Sequence, residues 1–139
     1  MKQTIFIDSN VLCGLFNDKD SLHEKSKNAL ASLREYQFAV SNFILLECYT
    51  IISQRTSKEN SINFRQYMLT DYPYKIVWIN RKLEEETWKI FASIKDKNFS
   101  YVDASILAVM KKEKIGHLLS FDTGFKDLQE QFKFKLIGS

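Results

Sequence analysis

The chain has 139 residues, 45% of them hydrophobic, which is the size of one compact domain with a substantial buried core. Only four glycines and one proline are present, and no low-complexity run or Gly/Ser linker interrupts it, so residues 1–139 read as a single ordered domain. Twenty Lys and Arg against seventeen Asp and Glu leave a formal charge of +3, too mild to identify a nucleic-acid binder by charge alone.

Residues 4–7 form a short β-branched and aromatic run that ends at Asp8-Ser9-Asn10, three residues suited to a turn or helix N-cap, which predicts strand, turn, helix. A short helix over 11–16 and a longer one over 22–35 follow, then a second strand at 38–40 that ends in Ser41-Asn42. Residues 43–54 have helical length and are apolar nearly all round, except for a polar seam at Glu47, Thr50 and Gln54 on one face. A helix over 58–69 stops before Pro73, and a third strand at 75–79 leads into an amphipathic helix over 82–95, with Leu83, Thr87, Ile90 and Ile94 on one side. Ser100 opens another helix that runs to about residue 113, and a fourth strand, 117–121, ends at Asp122. A short helix at 125–131 precedes a last strand at 132–136, whose Phe-Lys-Phe-Lys-Leu alternation suits a sheet edge solvated on one face. Short strands alternating with helices imply parallel pairing through right-handed crossovers, so the expected fold is a three-layer α/β/α sandwich with no internal repeat.

Cys13 and Cys48 fall inside apolar helical patterns and read as buried thiols of a reduced, cytoplasmic protein rather than as a disulfide. Nothing at the N-terminus resembles a secretory signal, and no apolar stretch approaches the roughly 18 residues a membrane span requires. No membrane partner is expected.

In a parallel sheet, strand C-termini and the first turns of the following helices share one edge, where ligands bind. Asp8 ends the first strand, Glu47 lies early in the helix after the second, Asp103 stands one turn into the helix opened by Ser100, and Asp122 ends the fourth strand. Four carboxylates are thus delivered to one rim. Like charges so crowded repel unless a cation neutralises them, and all-oxygen donors suit Mg²⁺ or Mn²⁺ rather than zinc. Such a site engages phosphate: a cation polarises a non-bridging oxygen and helps generate hydroxide, while a carboxylate accepts a proton from water. Each acid also has a plainer role open to it. Asp8 and Asp122 suit N-caps, Ser100 with Asp103 fits a capping box, and Glu47 suits a solvated helix seam. Asp103 and Glu47, however, both interrupt apolar runs.

These segments resemble the PIN-domain family, in particular VapC-type toxin nucleases of bacterial or archaeal toxin–antitoxin pairs. Ile5-Phe6-Ile7-Asp8-Ser9-Asn10-Val11-Leu12 is similar to the family's opening strand and acidic motif, and Asn42-Phe43-Ile44-Leu45-Leu46-Glu47 to the helix that bears its glutamate. Ser100-Tyr101-Val102-Asp103-Ala104 resembles the third acidic motif, and Leu119-Ser120-Phe121-Asp122-Thr123-Gly124-Phe125 the fourth. The resemblance spans nearly the whole chain in order. It implies a five-stranded parallel sheet, a metal-dependent endoribonuclease using a water-derived nucleophile, homodimerisation, and inhibition by a partner antitoxin. It also implies supporting polar roles for Asn10 and Ser120. Ser9 and Ser120 stand where threonine is common, and neither departure removes a carboxylate.

Arg55, Arg81, Lys95 and Lys97 follow or precede elements that end at the rim and are candidate RNA-phosphate contacts. His23 and His117 read as structural. A haloacid-dehalogenase-type phosphatase wants Asp-x-Asp after strand one, where this chain has Asn10, and a receiver domain wants an acidic pair there. A non-catalytic PIN module that binds RNA or protein predicts a missing carboxylate, and all four are present.

Overall fold

The structure is a computed structural model that describes residues 2–70 and 74–138. Five strands, β1 (Thr4–Ile7), β2 (Gln37–Ser41), β3 (Tyr74–Val77), β4 (His117–Leu119) and β5 (Lys135–Ile137), form one parallel sheet in the order β3-β2-β1-β4-β5. The helices are α1 (Ser9–Leu15), α2 (His23–Ser32), α3 (Asn42–Arg55), α4 (Lys58–Thr70), α5 (Arg81–Ser93), α6 (Tyr101–Glu113) and α7 (Gln129–Phe132), with a 3₁₀ helix at Thr123–Leu128.

From β1 the chain steps outward to β2 and β3, then crosses back over the sheet to β4 on the other side of β1. Right-handed crossovers in opposite directions place α1–α4 on one face and α5, α6 and the closing helices on the other. The strand order therefore reverses at β1 and β4, and the crevice outside their C-terminal ends is where an open α/β sheet binds its ligand.

Burial follows from this layering. Ile5, Phe6 and Ile7 of the central strand are all fully buried, as a strand covered on both faces requires. Helix α6 is buried continuously from Ala104 to Met110, which accounts for its apolar residues all round. Helices α1 and α2 approach closely at Gly14, where a Cβ would stand 2.6 Å from Ser26 Oγ. His23 Nδ1 lies 2.9 Å from the Gly14 carbonyl, and the His117 ring packs 5.1 Å from that of Tyr36, so both histidines are structural.

Several boundaries differ from the sequence expectation. Helix α1 starts at Ser9 rather than 11, because the Asp8 carboxylate accepts from Ser9 N and caps the helix at once. Strand β3 ends at Val77, since Ile79 N donates to Asn42 Oδ1 rather than to the ladder and Trp78 is 57% exposed. The last strand begins at Lys135. Residues 132–134 keep the alternating burial of the Phe-Lys-Phe pattern, but Phe132 ends α7 and Lys133 takes a left-handed backbone (φ 56°). Helix α3 is less enclosed than its composition suggests, because Leu46 is 58% exposed beside the Glu47 seam. The stop expected at Pro73 lies outside the described residues.

Candidate active site

Asp8 closes β1 at the crevice and is buried. Its carboxylate is held from two sides: Oδ1 accepts from Ser9 N at 2.7 Å, and Oδ2 accepts from the Ser120 hydroxyl at 2.7 Å, just beyond β4. Ser120 is also buried, and its Oγ accepts from Asp122 N at 3.0 Å and from the Asn10 side-chain amide at 3.4 Å. Asn10 Oδ1 in turn accepts from Phe121 N at 3.3 Å. Asn10 and Ser120 thus link the ends of β1 and β4 through hydrogen bonds across the crevice.

Burial pushes the Asp8 carboxyl up from 3.8 to about 7; the Ser120 hydrogen bond opposes that rise, while the charges of Asp103 and Glu47 add to it. Burial likewise raises Asp103, offset in part by the Ser100 amide and reinforced by Asp122 and Glu47. Carboxylates from β1, α3, α6 and the turn after β4 therefore feel one another's charge. The sequence-predicted acids are brought together at one rim.

Their plainer roles are real as well. Asp122 Oδ1 accepts from Gly124 N at 2.9 Å and caps the 3₁₀ helix, and Ser100 with Asp103 forms a complete capping box at the start of α6. Glu47 accepts a short hydrogen bond from Ser9 Oγ. Capping and convergence coincide because the helix N-termini that begin at a strand's end are the rim itself. With each carboxylate drawn to its nearest donor, no three acidic, Cys or His side chains among the described residues stand close enough together to grip one ion. The donor chemistry, all carboxylate oxygens, suits a hard divalent cation.

The candidate phosphate contacts are scattered. Arg55 lines a cleft of about 490 Å³ together with Ser9 and Asn10, and pairs with Asp20 at 3.8 Å. Arg81 opens α5, is 92% exposed, and pairs with Glu85 at 3.6 Å. Lys95 and Lys97 are exposed on the segment that enters α6, which is fixed where Phe99 packs 5.7 Å from Phe125 of the turn after Asp122. Sequence reasoning missed Ser9. Read only as a substitute for threonine, it bridges the first two acids, its Oγ lying 3.4 Å from Asp8 Oδ1 while donating to Glu47.

The sequence profile of the PIN domain matches residues 5–131. The chain belongs to the PIN-domain family. A curated relative from Mycobacterium tuberculosis, the 23S rRNA-specific endonuclease VapC20, is 27% identical over 121 residues, covering 87% of this chain and 91% of that one. The crystal structure of M. tuberculosis VapC20, described as a sarcin-ricin loop cleaving toxin, superposes with a TM-score of 0.81 at 26% identity over 89% of this chain and 94% of that one. The VapBC2 structure from Rickettsia felis, bound to a DNA fragment from its promoter, shares the fold at a TM-score of 0.67 and 16% identity, with 96% and 97% coverage. Among the described residues no helix is long and apolar enough to cross a membrane.

Proposed function

We propose that this chain is a divalent-metal-dependent endoribonuclease that cleaves RNA phosphodiester bonds at the rim formed by Asp8, Glu47, Asp103 and Asp122, and that it is the toxin of a type II toxin–antitoxin pair. The observation that carries this reading is the buried Asp8 carboxylate at the strand-order reversal, braced by Ser120 and surrounded by the charges of acids from other elements. Capping α1 does not require Asp8 to be buried beside other acids, and a buried carboxylate that feels like charges destabilises the fold unless a cation or proton relieves it. VapC20 supplies the reaction class, because the matched region extends over nearly all of both chains.

Mg²⁺ or Mn²⁺ held there supplies a Lewis acid and a source of hydroxide. Asp8 is the fixed ligand, its oxygens oriented by Ser9 N and Ser120 Oγ. Glu47, half-exposed on α3, would join the ligand set by releasing Ser9, with Asp103 and Asp122 as the remaining candidate ligands. A rim carboxylate takes the proton from the attacking water. Arg81, Lys95 and Lys97, all exposed, are the candidate contacts to RNA phosphates, together with Arg55, which shares a cleft with Ser9. A cognate antitoxin and a homodimer complete the reading, checked by co-purification with the product of an adjacent gene and by sedimentation.

The test is cleavage of an RNA panel that includes a sarcin-ricin loop hairpin, with Mg²⁺, with Mn²⁺ and with EDTA. Metal-dependent cleavage that vanishes in Asp103→Asn supports the reading. Each of the four carboxylates bonds a hydroxyl or backbone donor of the chain, which favours one alternative, a PIN module that binds RNA or protein without cutting it, and a folded protein that cleaves no RNA under any condition would establish that instead.

A further inference from the structure

We propose that Cys13 and Cys48 are a peroxide-sensitive thiol pair whose oxidation to an intramolecular disulfide clamps α1 against α3 and lowers the affinity of the acidic rim for a divalent cation. The affinity half rests on the carboxylate reading above; the thiol chemistry does not.

The two sulfurs lie 3.8 Å apart as free thiols. A disulfide requires about 2.0 Å, so side-chain torsions must close a gap of roughly 1.8 Å. The pair differs in access. Both are buried, but Cys13, 5% exposed, lines the cleft it shares with Ser9, Asn10 and Arg55, whereas Cys48 is fully enclosed, with its Sγ 4.0 Å from the Ser9 carbonyl. A small oxidant that enters the cleft meets Cys13 first, and the hydrogen bond with Cys48 holds the Cys13 thiol below its ordinary range, which favours the reactive thiolate. The Cys13 thiolate attacks one oxygen of hydrogen peroxide, forming a sulfenic acid as the O–O bond breaks and hydroxide leaves. The Cys48 sulfur then attacks the Cys13 sulfur; the S–O bond breaks, and the hydroxyl departs as water with the Cys48 proton. Two thiols and one peroxide give one disulfide and two waters.

The coupling to the rim follows from helix periodicity. Ser9 and Cys13 are four residues apart on one face of α1, and Glu47 and Cys48 are consecutive on α3. The Ser9–Glu47 hydrogen bond and the Cys13–Cys48 contact are therefore neighbouring rungs between the same two helices. Drawing one rung tight holds the other, and Glu47 stays on Ser9 instead of turning toward a cation. In a reducing compartment such a bond is transient, as a redox sensor requires.

The experiment treats the whole protein with hydrogen peroxide and then with dithiothreitol, reading intact mass, cross-linked tryptic peptides and Mn²⁺ affinity by calorimetry without RNA. The expected result is a monomer lighter by two hydrogens, a peptide joining Cys13 to Cys48, and Mn²⁺ binding weakened about tenfold and restored by reductant. In Cys13→Ala and, separately, Cys48→Ala, peroxide should leave Mn²⁺ affinity unchanged. Two thiols still titratable in denaturant after peroxide, or a bond between two chains, would overturn the thiol pair. A bridge that leaves Mn²⁺ affinity unaltered would overturn the coupling. Reduced protein that binds no Mn²⁺ at all would instead remove the carboxylate reading and the affinity half with it, while the peptide link still decides the thiol chemistry.

Discussion

Asp8 and Asp122 both cap the helix that follows a strand of the central pair, and there the likeness ends. Asp8 is buried, gripped by Ser9 N and by a hydroxyl from the neighbouring strand's end, and pushed up to about 7; Asp122 is exposed and held only by its own turn. The difference is one of depth at the crevice. A carboxylate that water cannot reach must be matched by a proton or a cation, so its placement is expensive and has to be offset by function, whereas an exposed cap stabilises its helix at little electrostatic cost. The Asp8 carboxylate is thus held in place from two sides, whereas the Asp122 carboxylate is held by its own turn alone.

The largest effect should come from removing the buried member. Asp8→Asn is expected to lower RNA cleavage at least about a thousandfold, and Asp122→Asn distinctly less, because the exposed position is more easily replaced by water. Equal losses would erase the distinction.

Stability carries the opposite signature. The Asp8 carboxyl titrates near 7 in the folded chain against 3.8 unfolded, so between those values the native state holds a proton that the unfolded state has lost. The stabilisation is full below the unfolded value and is lost as pH rises through the folded one. Without divalent cation, unfolding free energy should therefore fall by roughly 3 kcal/mol between about pH 5 and about pH 8. Denaturant melts across that range should show the decline in the wild type and flatten it in Asp8→Asn. Added Mg²⁺ at the alkaline end should restore the loss. A decline of the same size in Asp8→Asn would assign it to other groups.

Ser120→Ala sharpens the comparison from the other side. It removes the hydrogen bond that lowers the Asp8 pKa and frees Asp122 N, so cleavage should drop roughly tenfold and the acidic limb of the pH–rate profile should move to higher pH. A lower rate with an unmoved limb would mean that Ser120 serves packing alone. The smallest effect belongs to the margin: reversing Arg81 and Lys97 to Glu should weaken RNA binding by a few-fold and flatten its salt dependence, as read in titrations at two salt concentrations. Unchanged binding would remove both from the RNA path.

The architecture was legible because its signals are local. The apolar run at 5–7, the helix openings at Ser41-Asn42 and Ser100, and the apolar stretch of α6 each declare an element without reference to the rest of the chain. So does the arrival of acids at strand ends. What was not legible is set by long-range contact. The depth of Asp8 depends on Ser120, 112 residues away, and the bridging role of Ser9 depends on Glu47. The late start of β5 turns on a left-handed residue at Lys133, where an alternating apolar pattern gives no hint that the first half of the run is a helix end. Nor could the four acids reveal that each would satisfy a backbone or hydroxyl donor of its own, since a sequence shows which groups reach a rim and not which way they turn.

The most direct test of the central claim is a crystal grown with Mn²⁺ and measured at the manganese absorption edge. The account predicts an anomalous peak against Asp8 in the β1/β4 crevice, with the Glu47 carboxylate turned off Ser9 to meet it. A peak elsewhere on the protein, or Glu47 still bonded to Ser9 with no ion beside Asp8, would contradict the claim that these carboxylates form one metal site.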